Sequence, residues 1–156
     1  MTATRLALIA LACSAALPAS AQLLQRKELS YPIALTIAQA ALEDCKARGY
    51  ATSVVVVDRG GNTVVALRDD NAGAHTMENA RHKAYTKMTT DAFIKEMATR
   101  PVRREQTTLP NVIAISGGVP IKVGNDVIGG VGLSGSPGVD EPCVMAGLDK
   151  VKDQLQ

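Results

Sequence analysis

Aromatic side chains are nearly missing from this 156-residue chain, which has one Phe, three Tyr and no Trp. Stacking platforms for bases and aromatic clamps for sugars are therefore excluded as organising features. The core has to be assembled from Val, Ile, Leu, Ala and Met. An excess of one charge is also missing, since 17 Lys and Arg stand against 15 Asp and Glu, and nothing suggests a nucleic-acid surface. Neither a P-loop nor a G-x-G-x-x-G run leading directly into a helix is present, which removes the usual nucleotide-binding signatures. Ser116 and Ser134 sit beside glycines, but no G-x-S-x-G elbow surrounds either. Cysteine is scarce at three residues, with no CxxC or HxxxH spacing to suggest a metal site. Beyond the N-terminal segment, no apolar run is long enough to span a membrane.

That segment is the most informative one for location. Arg5 precedes an unbroken apolar run, Leu6 to Ala16, which Pro18 ends before Ala19-Ser20-Ala21. A charged n-region, a short apolar stretch and a small-x-small cleavage site make a secretory signal peptide. The expectation is residues 1–21 as signal peptide, cleavage after Ala21, and a single domain over 22–156 in the periplasm or secreted. Cys13 lacks a good lipobox upstream, so no lipoprotein is expected. Removing 21 of 156 residues leaves 135, the size of one domain. It also removes Arg5 alone among the charged residues, leaving a net charge near +1. The two remaining cysteines, Cys45 and Cys143, are a disulfide candidate in an oxidising compartment; two buried free thiols are the alternative. A thiolate at Cys143, near a helix start, would be favoured only without that bridge.

Leu35 to Arg48 has apolar residues at helical spacing and stops at Gly49. Ser53 to Val57 is a β-branched run fitting a strand buried on both faces. Asp58-Arg59-Gly60-Gly61-Asn62 turns it into a second strand, Thr63 to Leu67. A helix is expected over His75 to Met88 and a short one over Ala92 to Ala98, followed by an exposed loop, Thr99 to Asn111, carrying Arg100, Arg103 and Arg104. Three strands follow: Val112 to Ile115, Val119 to Val123 and the glycine-laden Val127 to Ser134. A closing helix runs from Asp140 to Leu155. Hairpin connections imply a five-stranded antiparallel sheet covered by helices, an α+β arrangement.

Several segments together resemble the GlcG/HbpS haem-binding-like family, which includes the C-terminal domain of PduO-type proteins. They are Val57-Asp58-Arg59-Gly60-Gly61-Asn62, Arg68-Asp69-Asp70, Ala80-Arg81-His82-Lys83-Ala84-Tyr85-Thr86, Ser116-Gly117-Gly118-Val119-Pro120-Ile121, Ile128 to Gly135, and Asp140-Glu141-Pro142-Cys143-Val144-Met145-Ala146-Gly147. The resemblance implies a profilin-like fold, homo-oligomers, and in some members haem or a related tetrapyrrole. In a profilin-like arrangement the first and last helices share one sheet face, which would bring Cys45 and Cys143 within bridging reach.

The helix from His75 concentrates the chemistry. His75, Glu78 and His82 are spaced i, i+3, i+7 and fall within about 60° on one helix face. Neutral imidazole ligates iron or zinc, so His75 and His82 are candidates for haem iron; a solvated polar face is the alternative. Arg68, Arg81 and Lys83 suit carboxylates such as haem propionates, or pair with Asp69, Asp70 and Glu78. Tyr85 is either an axial phenolate or a core residue with one wet edge. Thr86 lies within the same motif. Gly117 and Gly118 are either a backbone anion cradle or a tight turn. A small ligand-binding protein is the leading expectation. A small enzyme acting on a carboxylated metabolite through His75, His82 or Glu78, and an oligomeric accessory protein without ligand, are the alternatives.

Overall fold

The computed structural model describes residues 23–89, 109–113 and 115–156. The expected signal peptide, the helix Ala92 to Ala98 and residues 99–108 of the arginine-bearing loop lie outside them. The elements are α1 (Tyr31–Ala47), β1 (Ser53–Asp58), β2 (Thr63–Arg68), α2 (Thr76–Thr89), β3 (Gly118–Val123), β4 (Asp126–Ser134) and α3 (Asp140–Asp149). A 3-10 turn, Lys152–Gln154, ends the chain.

The four strands form one antiparallel sheet in the order β2-β1-β4-β3. The valine run of β1 occupies an interior position and is buried on both faces. Val54 and Val56 pack with α1 and α3 residues, whereas Val55 and Val57 pack with Ala80 and Ala84 of α2. Helices therefore cover both faces, α1 and α3 on one and α2 on the other.

The sheet has four strands, not five. Val112 and Ile113 are not in a strand. The Ile113 amide donates to Thr86 Oγ1 at 2.9 Å, so a helix side chain takes the bond that a ladder would have used. Backbone reversals at Asn111 (φ 66°) and Gly117 (φ 100°) flank the segment.

The helix ends differ from the periodicity-based bounds for local reasons. α1 begins four residues early because Pro32 sits in its first turn, where no N–H is needed. It ends in a Schellman motif: Gly49 N–H donates to Lys46 C=O (2.9 Å) and Tyr50 N–H to Cys45 C=O (3.0 Å), with Gly49 at φ 86°. The closing helix stops at Asp149, short of Leu155. In the β1–β2 turn the Asp58 carboxylate accepts from the backbone N–H groups of Gly60 (2.8 Å) and Asn62 (2.9 Å). Partial burial pushes the Asp58 carboxyl up, but these bonds, with the Asn62 amide and Gly61, hold it below its ordinary value.

Cys45 and Cys143 form a disulfide across α1 and α3, closing a sequence separation of 98 residues. Nearby, Gly147 of α3 lies against the α1 backbone, where a Cβ would stand 2.5 Å from Ile37 O. On the opposite face Gly132 of β4 sits beneath α2, and a Cβ there would overlap Ala80 O and crowd Ala84 N. This contact explains why β4 tolerates glycines that weaken an ordinary strand.

Gly132→Ala should force α2 off the sheet and lower stability by about 3 kcal/mol, the upper end for overpacked sites, as read by urea unfolding. An unchanged midpoint would refute the close contact. Replacing Cys45 and Cys143 together with Ala should cost about 2–5 kcal/mol, mainly by freeing the unfolded chain. A loss below about 1 kcal/mol would show that the bridge adds little to the α1–α3 contact.

Candidate functional site

α2 starts where the chain turns at Gly73. The Thr76 N–H and hydroxyl both donate to Gly73 C=O, at 3.0 and 2.6 Å. With its hydrogen so used, Thr76 Oγ1 accepts from Ser53 Oγ of β1 at 2.8 Å. Asn79 N–H donates to His75 C=O at 3.1 Å, so His75 accepts this bond from just before the helix. Its ring lies beside Gly73, where a Cβ would stand 3.0 Å from His75 Cε1.

An open cavity of about 510 Å³ lies between the start of α2, the end of β4 and the start of α3. Asn71, Gly73, His75, Thr76 and Asn79 line it from the α2 side, with Ala51 from the segment before β1. Ile115 and Ser116 line a second side; Ser134, Gly135, Pro137 and Gly138 line a third. The buried side chains of Lys83 and Asp140 form its floor.

That floor is an ion pair with further bonds. Lys83 Nζ donates to Asp140 Oδ2 at 2.7 Å and to Leu133 C=O at 3.0 Å. Asp140 Oδ1 accepts from Ser136 N–H at 2.9 Å and Ser136 Oγ at 2.7 Å. The side chains of Lys83 and Asp140 are only 4% and 9% exposed. Burying two charges is costly unless each is well paired and hydrogen-bonded, and these bonds meet that need. Ser136 Oγ also lies 3.1 Å from Cys45 Sγ, so the network ends at the disulfide.

The candidate residues divide into two groups. His75 and Lys83 line the cavity, together with Thr76 and Asn79. Glu78, Arg81 and His82 lie on another side of α2 and form their own cluster. Arg81 Nη2 donates to Glu78 Oε1 at 2.6 Å and to Asn111 Oδ1 at 2.7 Å, and His82 Nε2 lies 3.0 Å from Glu78 Oε1. The hydrogen bond from Arg81 holds the Glu78 carboxyl below its ordinary value against slight burial, with the charges of Arg81 and His82 adding to it. His75 and His82 are thus not brought together, because His75 precedes the helix and its ring turns towards Gly73.

The other candidates lie outside the cavity lining. Tyr85 packs against Val55, Val57, Ala80 and Ala84. Thr86 donates to His82 C=O and accepts from Ile113 N–H. Arg68 stands on β2, exposed and outside the cavity lining. Gly117 and Gly118 are buried against Lys83, where a Cβ would stand 3.0 Å from its Nζ and 2.6 Å from its C=O, respectively. Neither lines the cavity; Ile115 and Ser116, just before them, do.

Sequence reasoning did not assign Asp140, Ser136 or Asn79 to the site, and weighed Ser134 only as a nucleophile. Ser136 and Asp140 stand four residues apart at a helix start, a spacing typical of local capping. The partner of Asp140 is 57 residues away and leaves no local trace. Among the described residues no cluster of three or more His, Cys, Asp or Glu forms a metal site.

The sequence model of the HbpS-like family, described as "Haem degrading protein HbpS-like", matches residues 29–149. The chain belongs to this family. Protein GlcG of Escherichia coli K12 is 31% identical over 110 residues, covering 68% of this chain and 81% of GlcG. A crystal structure of a Streptomyces reticuli HbpS double mutant superposes with a TM-score of 0.75 at 33% identity, covering 88% of this chain and 98% of that one. The PduOC–haem complex has a TM-score of 0.71 at 24% identity, covering 79% and 94%, and shares the fold.

Removing the charge of Asp140 alone, as in Asp140→Ala, strands a buried ammonium and should cost about 3–5 kcal/mol. Lys83→Met combined with Asp140→Asn should cost clearly less, because neither charge is then left unpaired. Equal losses in thermal or urea unfolding would show that the pair is not coupled.

Proposed function

We propose that this HbpS-like protein binds haem or a related tetrapyrrole in the cavity at the start of α2. The observation that carries this reading is an imidazole, His75, on the rim of the cavity in a chain of a haem-associated family. A haem site needs an axial donor, apolar walls and partners for the propionates. His75 supplies the first. Ile115, which is 52% exposed, supplies apolar surface beside Pro137 and Ala51. Lys83 supplies a cation at the floor. His82 is the weaker iron candidate because Glu78 already holds its Nε2. No helix among the described residues is long and apolar enough to cross a membrane. Export through the 1–21 signal peptide, and assembly into homo-oligomers, complete the proposal.

Titrating ferric haem into the purified protein should produce a Soret band shifted from that of free haem. His75→Ala should weaken binding by about tenfold or more and move the band, since a lost axial bond changes both affinity and spectrum. His82→Ala should leave both unchanged. Haem that stays spectroscopically free with the wild-type protein would refute the proposal. An effect of His82→Ala without one of His75→Ala would transfer the iron to the other face of α2.

A further inference from the structure

The polar groups at the bottom of the cavity are only partly used by the protein. Lys83 Nζ carries three N–H bonds and spends two, on Asp140 Oδ2 and Leu133 C=O. Ser134, 6% exposed, lines the same cavity, and its hydroxyl is a donor beside the end of β4. The Asn79 side chain lines the wall one helical turn before Lys83. A hydroxyl that lines a cavity can donate to a bound acceptor, and Ser134 is so placed. The carboxylate of Asp140 does not compete for this space. Its Oδ2 is taken by Lys83 and its Oδ1 by Ser136. Gly117 keeps the ammonium clear, because a Cβ there would stand 3.0 Å from Nζ.

We infer that the floor of the cavity is a carboxylate-binding site, in which Lys83 Nζ and Ser134 Oγ donate to the two oxygens of one ligand carboxylate and Asn79 adds a donor from the side. The inference rests on the cavity being the ligand site. A charged donor and a neutral hydroxyl lining one cavity match a carboxylate better than a neutral carbonyl, since hydrogen bonds to an ionised partner are roughly twice as strong. Two sources carry that group: a propionate of the tetrapyrrole and a free small acid.

The test compares ferric protoporphyrin IX with its dimethyl ester on the wild-type protein by Soret titration, and follows thermal unfolding with added acetate or acetamide. A propionate ligand predicts that the free acid binds about 10- to 100-fold tighter than the ester, the size of one or two charge-assisted hydrogen bonds. Ser134→Ala should then weaken the acid form and spare the ester. A free-acid ligand predicts that acetate raises the melting temperature and acetamide does not, and that Ser134→Ala and the Lys83→Met/Asp140→Asn double variant abolish the rise. Equal affinity for acid and ester, together with no acetate effect, would overturn the inference. If haem fails to bind while the acetate effect is present, the haem reading falls and the carboxylate site stands. The absence of both overturns both.

Discussion

The buried Lys83–Asp140 pair is the contact on which the arrangement of this molecule turns. Lys83 belongs to the helix on one face of the sheet, and Asp140 opens a helix on the other. Their bond is made at the end of β4, where Leu133 C=O accepts from the same ammonium. Two charges in an interior repay their desolvation only with good geometry and further hydrogen bonds, which Leu133 C=O and Ser136 supply here. The pair therefore holds the starts of α2 and α3 and the end of β4 in one relative position. The cavity is the space left between these three chain segments, and its shape follows from the bond at its floor.

Close backbone approach makes that bond reachable. Gly132 lets α2 settle onto β4 until Ala80 O and Ala84 N lie where a Cβ would be, and Lys83 Cβ stands 3.0 Å from the same point. From there the lysine stem has only to run along the sheet end to meet Asp140. Gly117 and Gly118 keep the opposite side clear, the first beside the ammonium and the second beside the Lys83 carbonyl. Three glycines that look like weak strand and turn residues are the clearance for one buried side chain. The disulfide works from the far side. It joins α1 to the first turns of α3, and Ser136, which grips Asp140, lies 3.1 Å from Cys45 Sγ.

The fold was largely legible because its signals are local. The valine run of β1, the Asp58 to Asn62 turn and the Gly49 stop are each determined by residues within a few positions of one another. The helix over α2 was legible to within a residue at each end. The expected fifth strand failed for a non-local reason, because Val112 and Ile113 have strand-forming side chains but the Ile113 amide is claimed by Thr86. The family resemblance was legible in segments scattered from Val57 to Gly147, and the family match over residues 29–149 agrees with it.

The site was legible only as a region, and the reason lies in what helical spacing can and cannot say. Placing His75, Glu78 and His82 on one face assumed that His75 is inside the helix. Thr76 binds back to Gly73 twice, so the helix begins one residue later and the His75 ring is free to leave that face. Its partners then become Thr76, Asn79 and Lys83, a stripe that carries no second histidine. Glu78 is left with Arg81 and His82 in a solvated cluster that holds the outer face of α2 and reaches Asn111. The division is physical as well as geometric. On the outer face each charge has a close opposite partner and water beside it, so it has little left to offer a ligand. On the cavity side the Lys83 ammonium, itself nearly buried, keeps one N–H that neither Asp140 nor Leu133 takes, and a ligand acceptor entering the cavity can reach it.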